Sequence, residues 1–252
     1  MSPVKLAPKA ASPLDRFQLA PIAAVPRILA VSCGDIGTGK THFWATAPAP
    51  IVFHSFDHGT EGVVESFREK GKDIRVVEYE WTPANDDDSL QELAIELRDK
   101  SIEDIKVSVQ HARTVVIDKE TAMWNLFRYA EFGAPKADVA RDFDKVNALM
   151  RKYIHIPKKY TCNFGCIQDV KEEWVSQSKK SGGFQRAGFR ETPGIMNIDL
   201  WHERQGGKFT VTVGKGRGPN AKAAQDQKLE EPFTFATLGM LIFPDSEESD
   251  WV

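Results

Sequence analysis

The sequence predicts a doubly wound α/β domain with a mainly parallel sheet, on three observations. Short apolar, β-branched runs alternate with helical stretches from residue 27 onward, the order that winds a chain back and forth over one sheet. Several runs are apolar on both faces, as strands buried in a parallel sheet are. A last pair of runs flanks Gly206-Gly207, which predicts a β-hairpin closing the sheet. The 252 residues, 41% of them hydrophobic, suffice for one such domain with its own core.

Residues 1–26 hold five of the fourteen prolines, at 3, 8, 13, 21 and 26. Proline lacks an amide donor and fixes φ, so this stretch is expected to be a flexible leader. The domain is expected over 27–243. Its first strand is Arg27–Ser32, followed by a helix at 41–47. Ile51–Phe56 is the second strand, 60–70 a helix, Ile74–Tyr79 the third strand and 88–99 a helix. Thr114–Ile117 precedes helices at 119–131 and 140–153, and Asn163–Ile167 is the fifth strand. Ile198–Glu203 and Lys208–Val213 form the hairpin. Asp245, Glu247, Glu248 and Asp250 make 244–252 an acidic tail, read as a solvated segment or as an internal mimic of nucleic acid.

A formal net charge of −3 excludes a globally basic coat, so nucleic-acid binding would need a local patch. No window has the roughly 18 to 20 uninterrupted apolar residues of a membrane helix, and Pro21, Pro26 and Arg27 break the only signal-like stretch. A soluble, cytoplasmic protein without membrane contact is expected. Cys33, Cys162 and Cys166 form no CxxC pair, which fits reduced thiols. No zinc site is expected from them, nor from His54 with His58. Trp44, Trp124, Trp174 and Trp201 read as core or interface anchors.

The strongest chemical signal is Gly34, Asp35, Ile36, Gly37, Thr38, Gly39, Lys40 and Thr41, a full match to G-x-x-x-x-G-K-[ST] between a strand and a helix. Glycines let the backbone turn with its N–H groups inward around phosphate oxygens, and the following helix adds its positive end. Lys40 then neutralises the β- and γ-phosphates of ATP, Thr41 ligates Mg²⁺ through its hydroxyl, and His42 adjoins the nucleotide. Asp118, ending a buried strand, is the metal-side acid, acting through water. Hydrolysis also needs a carboxylate to orient the attacking water. The candidates are Asp57, favoured because it ends the second strand, then Glu61 and Glu120.

With these motifs in this order, the chain resembles the RecA-like core ATPases, and most closely the small phage-encoded members that act as single-strand annealing or recombination proteins. The resemblance spans about residues 27–240. It rests on Gly34 to Thr41, Phe53 to Gly62, Val115 to Asp118, Val146 to Arg151, Ile167 to Trp174 and Val211 to Arg217. It implies that Asp57 stands where the family has a glutamate base, a shorter side chain that would slow hydrolysis. It implies that Gln168 is a polar sensor of the γ-phosphate, and that Lys215 and Arg217 reach a neighbouring subunit's nucleotide in a homo-oligomer, ring or filament.

From 177 to 190, Lys179, Lys180, Arg186 and Arg190 stand without any acid among Phe184, Phe189 and three glycines. Cations follow a phosphate backbone while aromatic faces stack on bases, so this segment is expected to be a flexible loop binding single-stranded DNA. It matches the family's second DNA loop in position; Gly133–Ala137 is a weaker candidate for the first. The expected function is ATP-dependent annealing or strand exchange in phage recombination, with a single-strand DNA-binding protein as a further partner. The alternatives are a DnaB-like helicase or helicase loader and, less favoured, a small-molecule kinase.

Overall fold

The computed structural model describes residues 26–81, 88–133, 143–176 and 179–252, excepting the side chains of 88–89, 174–176 and 179–182. β1 (Leu29–Gly34) leads into α1 (Lys40–Ala45), β2 (Ile51–Ser55), α2 (Glu65–Arg68), β3 (Ile74–Glu78) and α3 (Asp88–His111). Then come β4 (Thr114–Asp118), α4 (Glu120–Phe132), α5 (Phe143–His155) and β5 (Asn163–Gln168). The hairpin of β6 (Val170–Ser176) and β7 (Lys179–Arg186) follows. The chain ends with α6 (Thr192–Ile195), β8 (Ile198–Gln205), β9 (Lys208–Gly216), α7 (Pro219–Ala223), β10 (Lys228–Glu230) and α8 (Phe235–Ile242).

Eight strands form one sheet in the order β10-β9-β8-β1-β5-β4-β2-β3. The six from β8 to β3 are parallel, and β9 and β10 continue it antiparallel. This is the doubly wound, mainly parallel sheet with a C-terminal hairpin that the sequence predicts. β1, β4 and β5 are buried along their whole length, which is why their sequences lack a polar face. Alternate residues feed two cores: Val31, Val115 and Ile117 pack under α3, α4 and α5, whereas Ala30, Val116 and Ile167 pack under α1, α7 and α8. Gly165 in β5 makes room for Trp44, since a Cβ there would lie 2.5 Å from the indole.

Four elements depart from expectation. α3 continues to His111 because Ile102, Ile105 and Val109 extend the apolar stripe past residue 99. The 60–70 helix shrinks to α2, since the chain turns at Gly62 with φ 74°. The segment around 177–190 is mostly the strand β7 and its return, paired antiparallel with β6, rather than a loop. The acids of the tail are exposed, but Trp251 is fully buried over Gly239 and beside Phe235 and Phe243. The expected leader lies outside the described residues except Pro26, as does the first DNA-loop candidate beyond Gly133.

Candidate functional site

The phosphate loop leaves the sheet where β1 ends at its buried centre. Gly37 and Gly39 adopt φ 74° and 84°, conformations that a side chain strains. A Cβ on Gly34 would lie 2.4 Å from the His202 carbonyl oxygen and 2.8 Å from Thr38 Oγ1. Thr38 ties the turn by donating to the Asp35 carbonyl at 2.8 Å, while Ile36 projects from its tip, 84% exposed. Lys40 is buried, and its Nζ donates to the carbonyls of Gly34 at 2.8 Å and Asp35 at 2.7 Å. Burial pulls its pKa down, partly offset by the Asp169 carboxylate.

Thr41 and Asp118, 77 residues apart in sequence, meet at this loop: Thr41 Oγ1 donates to Asp118 Oδ2 at 2.9 Å. Burial pushes the Asp118 carboxyl up to about 7, against the Thr41 hydrogen bond. Next to it Lys119 Nζ bridges Asp57 Oδ2 at 2.8 Å and Asp169 Oδ2 at 3.1 Å. Burial opposes the charge of Lys119, but these two carboxylates outweigh it and raise its pKa. Asp57 also accepts from the Gly59 amide at 3.1 Å. Asp57 therefore stands with Asp118 in the charged cluster, whereas Glu61 is exposed in the turn after it. Lys119 was not anticipated; its only sequence signal is a cation directly after a strand-ending acid.

A cavity of about 780 Å³ opens from the phosphate loop, past His42 and Phe43, to the end of the sheet at β9 and the segment after β10. Its aromatic walls are Phe209, whose ring lies 3.4 Å from where a Cβ on Gly39 would be, and Phe233, stacked on Phe43 at 5.1 Å with 4° between planes. Sequence reasoning missed both, because nothing local marks residues that reach the loop only through sheet topology.

Glu120 corrects its assignment as a water-orienting base. It is fully buried and faces the base of the β6–β7 hairpin, accepting from Gln168 Nε2 at 2.8 Å, Thr192 Oγ1 at 2.9 Å and the Phe189 amide at 3.4 Å. Burial raises its pKa to about 7 despite those donors. Gly188 is required there, since a Cβ would lie 2.5 Å from Glu120 Oε2. Gln168 spends its amide on Glu120 and the Phe189 carbonyl, and its oxygen accepts from Arg186, so the sensor candidate points into the hairpin base rather than at the phosphate loop.

The DNA candidates divide. Arg186 pairs with Asp199 and lies over the Trp201 ring at 4.4 Å. Phe189 is 2% exposed in the core. Both hold the hairpin base together, Phe189 buried and Arg186 half-buried with its charge already paired, correcting their assignment as DNA contacts. Phe184 is 60% exposed and Arg190 is exposed. Lys179 and Lys180 begin β7, their side chains outside the described residues. Lys215 and Arg217 donate to the carbonyls of Pro193 and Gly194. Register places them beside the start of β8, at the end of the sheet where the parallel strands begin, whereas the phosphate loop follows the other end of β1.

Among the described residues no group of three or more His, Cys, Asp or Glu is placed to hold a metal ion, and no helix is long and apolar enough to cross a membrane. No family model matches the chain, and no curated protein matches it. Among solved structures the chain is similar to the RadB recombinase, at 12% identity and a TM-score of 0.48, over 82% of this chain and 87% of that one.

Proposed function

We propose that the chain is an ATP- and Mg²⁺-binding RecA-like protein that binds single-stranded DNA and promotes annealing or strand exchange as a homo-oligomer. The observation that carries this reading is the Thr41–Asp118 hydrogen bond at a complete phosphate loop. It joins a hydroxyl and a carboxylate of the kind that complete a magnesium shell, beside backbone amides and a lysine suited to phosphate. The donor set fits the group: Thr41 would ligate Mg²⁺ directly, Asp118 through water, and Lys40 would exchange its two carbonyls for phosphate oxygens. Bound Mg²⁺ supplies neutralisation of charge on the phosphate oxygens.

Asp57 orients the attacking water once Lys119 releases it, and its short side chain predicts slow turnover. Phe209 and Phe233 offer ring faces to the base. Phe184, with Lys179 and Lys180, contacts DNA from the hairpin, and Arg190 from the segment that follows β7. That hairpin springs from Gln168 and Asp169, and Asp169 shares Lys119 with Asp57, so phosphate occupancy and hairpin position are coupled. Lys215 and Arg217, remote from their own loop, serve the nucleotide of the next subunit in a head-to-tail assembly.

The test is ATPase activity with and without single-stranded DNA, with the assemblies imaged. Slow, DNA-stimulated turnover in filaments or annealing rings is expected. Fast turnover in hexameric rings that unwind duplexes would assign the core to a motor, and no ATP binding would overturn the proposal.

A further inference from the structure

On the helical face that carries α3 and α5, these helices and the turn Ile156–Lys159, which Arg27 ties to the start of β1, enclose a second cleft of about 390 Å³. Its floor is apolar, built from Ile102, Leu149, Ile156 and the rings of Tyr153 and Tyr160. Its mouth carries Lys106, Lys152, His155 and Lys159. Of the lysines, only Lys106 has a carboxylate partner, Glu103 at 2.5 Å; Lys152 and Lys159 form no ion pair among the described residues. Burial and the neighbouring Lys158 lower the pKa of His155, which leaves the lysines as the charge of the rim. Lys158 itself is pressed downward by burial and by Arg217, Lys215 and Arg27.

We propose that this cleft docks an acidic peptide segment of a partner protein, inserting one apolar side chain between α3 and α5. Cations gathered on one face raise the protein's own energy, and an anionic partner relieves that cost. The volume is at the small end of ligand pockets, which begin at about 300 Å³, and so fits a side chain better than a cofactor. A nucleic acid with the same charge is the poorer occupant. Bases stack on open aromatic faces, whereas Tyr153 is buried and packed edge-on against Phe127 at 5.7 Å. The acids of α3, Glu96, Asp99 and Glu103, border the cleft beyond Ile102. They repel the anionic part of the peptide and direct it towards Lys152 and Lys159.

The experiment titrates the full chain into a fluorescein-labelled hexapeptide, four aspartates followed by leucine and phenylalanine, and follows anisotropy. Binding in the micromolar range is expected, weakening with salt. The double variant Lys152→Glu and Lys159→Glu should weaken it by about tenfold or more, about 1.4 kcal/mol, with melting temperature unchanged because both side chains are exposed. Leu149→Asp should abolish it, and Lys40→Ala should leave it intact. Equal binding of a peptide of six aspartates would remove the apolar pocket from the proposal. Equal binding by the double variant would overturn it, as would displacement of the peptide by oligo(dT), which would hand the site to nucleic acid.

Discussion

The phosphate loop and the base of the β6–β7 hairpin lie side by side, where β1 pairs Cys33 with Gln168 of β5. They are built from similar residue types and treat them in opposite ways. Lys40 rests on two carbonyls, neutral partners that an anion can replace. Arg186 rests on a carboxylate and an indole, and Glu120 on three donors, partners that already match their charge and polarity. One region is poised for a ligand and the other is closed on itself. Charge and residue type alone do not separate a ligand site from a scaffold; the identity of the partner does.

Truncation breaks this contrast most severely at the two phenylalanines of the hairpin segment. Phe189→Ala should cost about 3–5 kcal/mol of stability by opening a core cavity, read by denaturant melts. Lys40→Ala should leave the melt unchanged while weakening nucleotide binding by about 1.5–3 kcal/mol, the worth of a charge-assisted hydrogen bond, in a titration with a fluorescent ATP analogue. Phe184→Ala should also leave stability alone, but weaken oligo(dT) binding by about 1–3 kcal/mol as one stacking platform is lost. An equal loss of stability in both phenylalanine variants would erase the distinction between the closed base and the exposed face of β7.

The smallest effect sharpens the contrast through pH. The folded pKa of Glu120, about 7, exceeds its ordinary value of 4.5, so the folded chain keeps a proton that the unfolded chain releases. Its stabilising contribution is complete below about 4.5 and is lost as pH rises towards 7, with a slope of at most about 1.4 kcal/mol per unit. Asp118 titrates with the same sign, and the buried Cys166 thiol, raised first by desolvation and then by Glu120, stays neutral throughout. Glu120→Gln should therefore flatten the pH dependence of the melting temperature without abolishing it. An unchanged slope would place the burial elsewhere.

What was legible in the sequence follows from range. Gly34 to Thr41 and Asp118 were readable because their chemistry is written in contiguous residues and the strand ends that carry them. The parallel sheet was readable from apolar runs such as Thr114–Ile117. Phe209 and Phe233 were not, because only the antiparallel extension of the sheet brings β9 beside the loop. Glu120, Arg186 and Phe189 were misread because their composition suits a ligand site, while their burial depends on how the chain from Ala187 to Asn197 folds back across β1. Lys119 was passed over because its partners, Asp57 and Asp169, arrive on β2 and β5 from either side of β4.

The resting place of Lys40 has a further consequence for discrimination among anions. Two of the ammonium's three N–H groups are already held by carbonyl oxygens, so an incoming ion finds one free donor and must outcompete a carbonyl to gain a second. A singly charged ion with one contact offers little more than it displaces, whereas a polyphosphate brings several oxygens and more than one charge to the same amides. The loop thus favours polyphosphates over small monoanions: chloride or acetate reaches only the free donor, whereas a ligand that engages the glycine amides and the lysine together can displace the carbonyls as well.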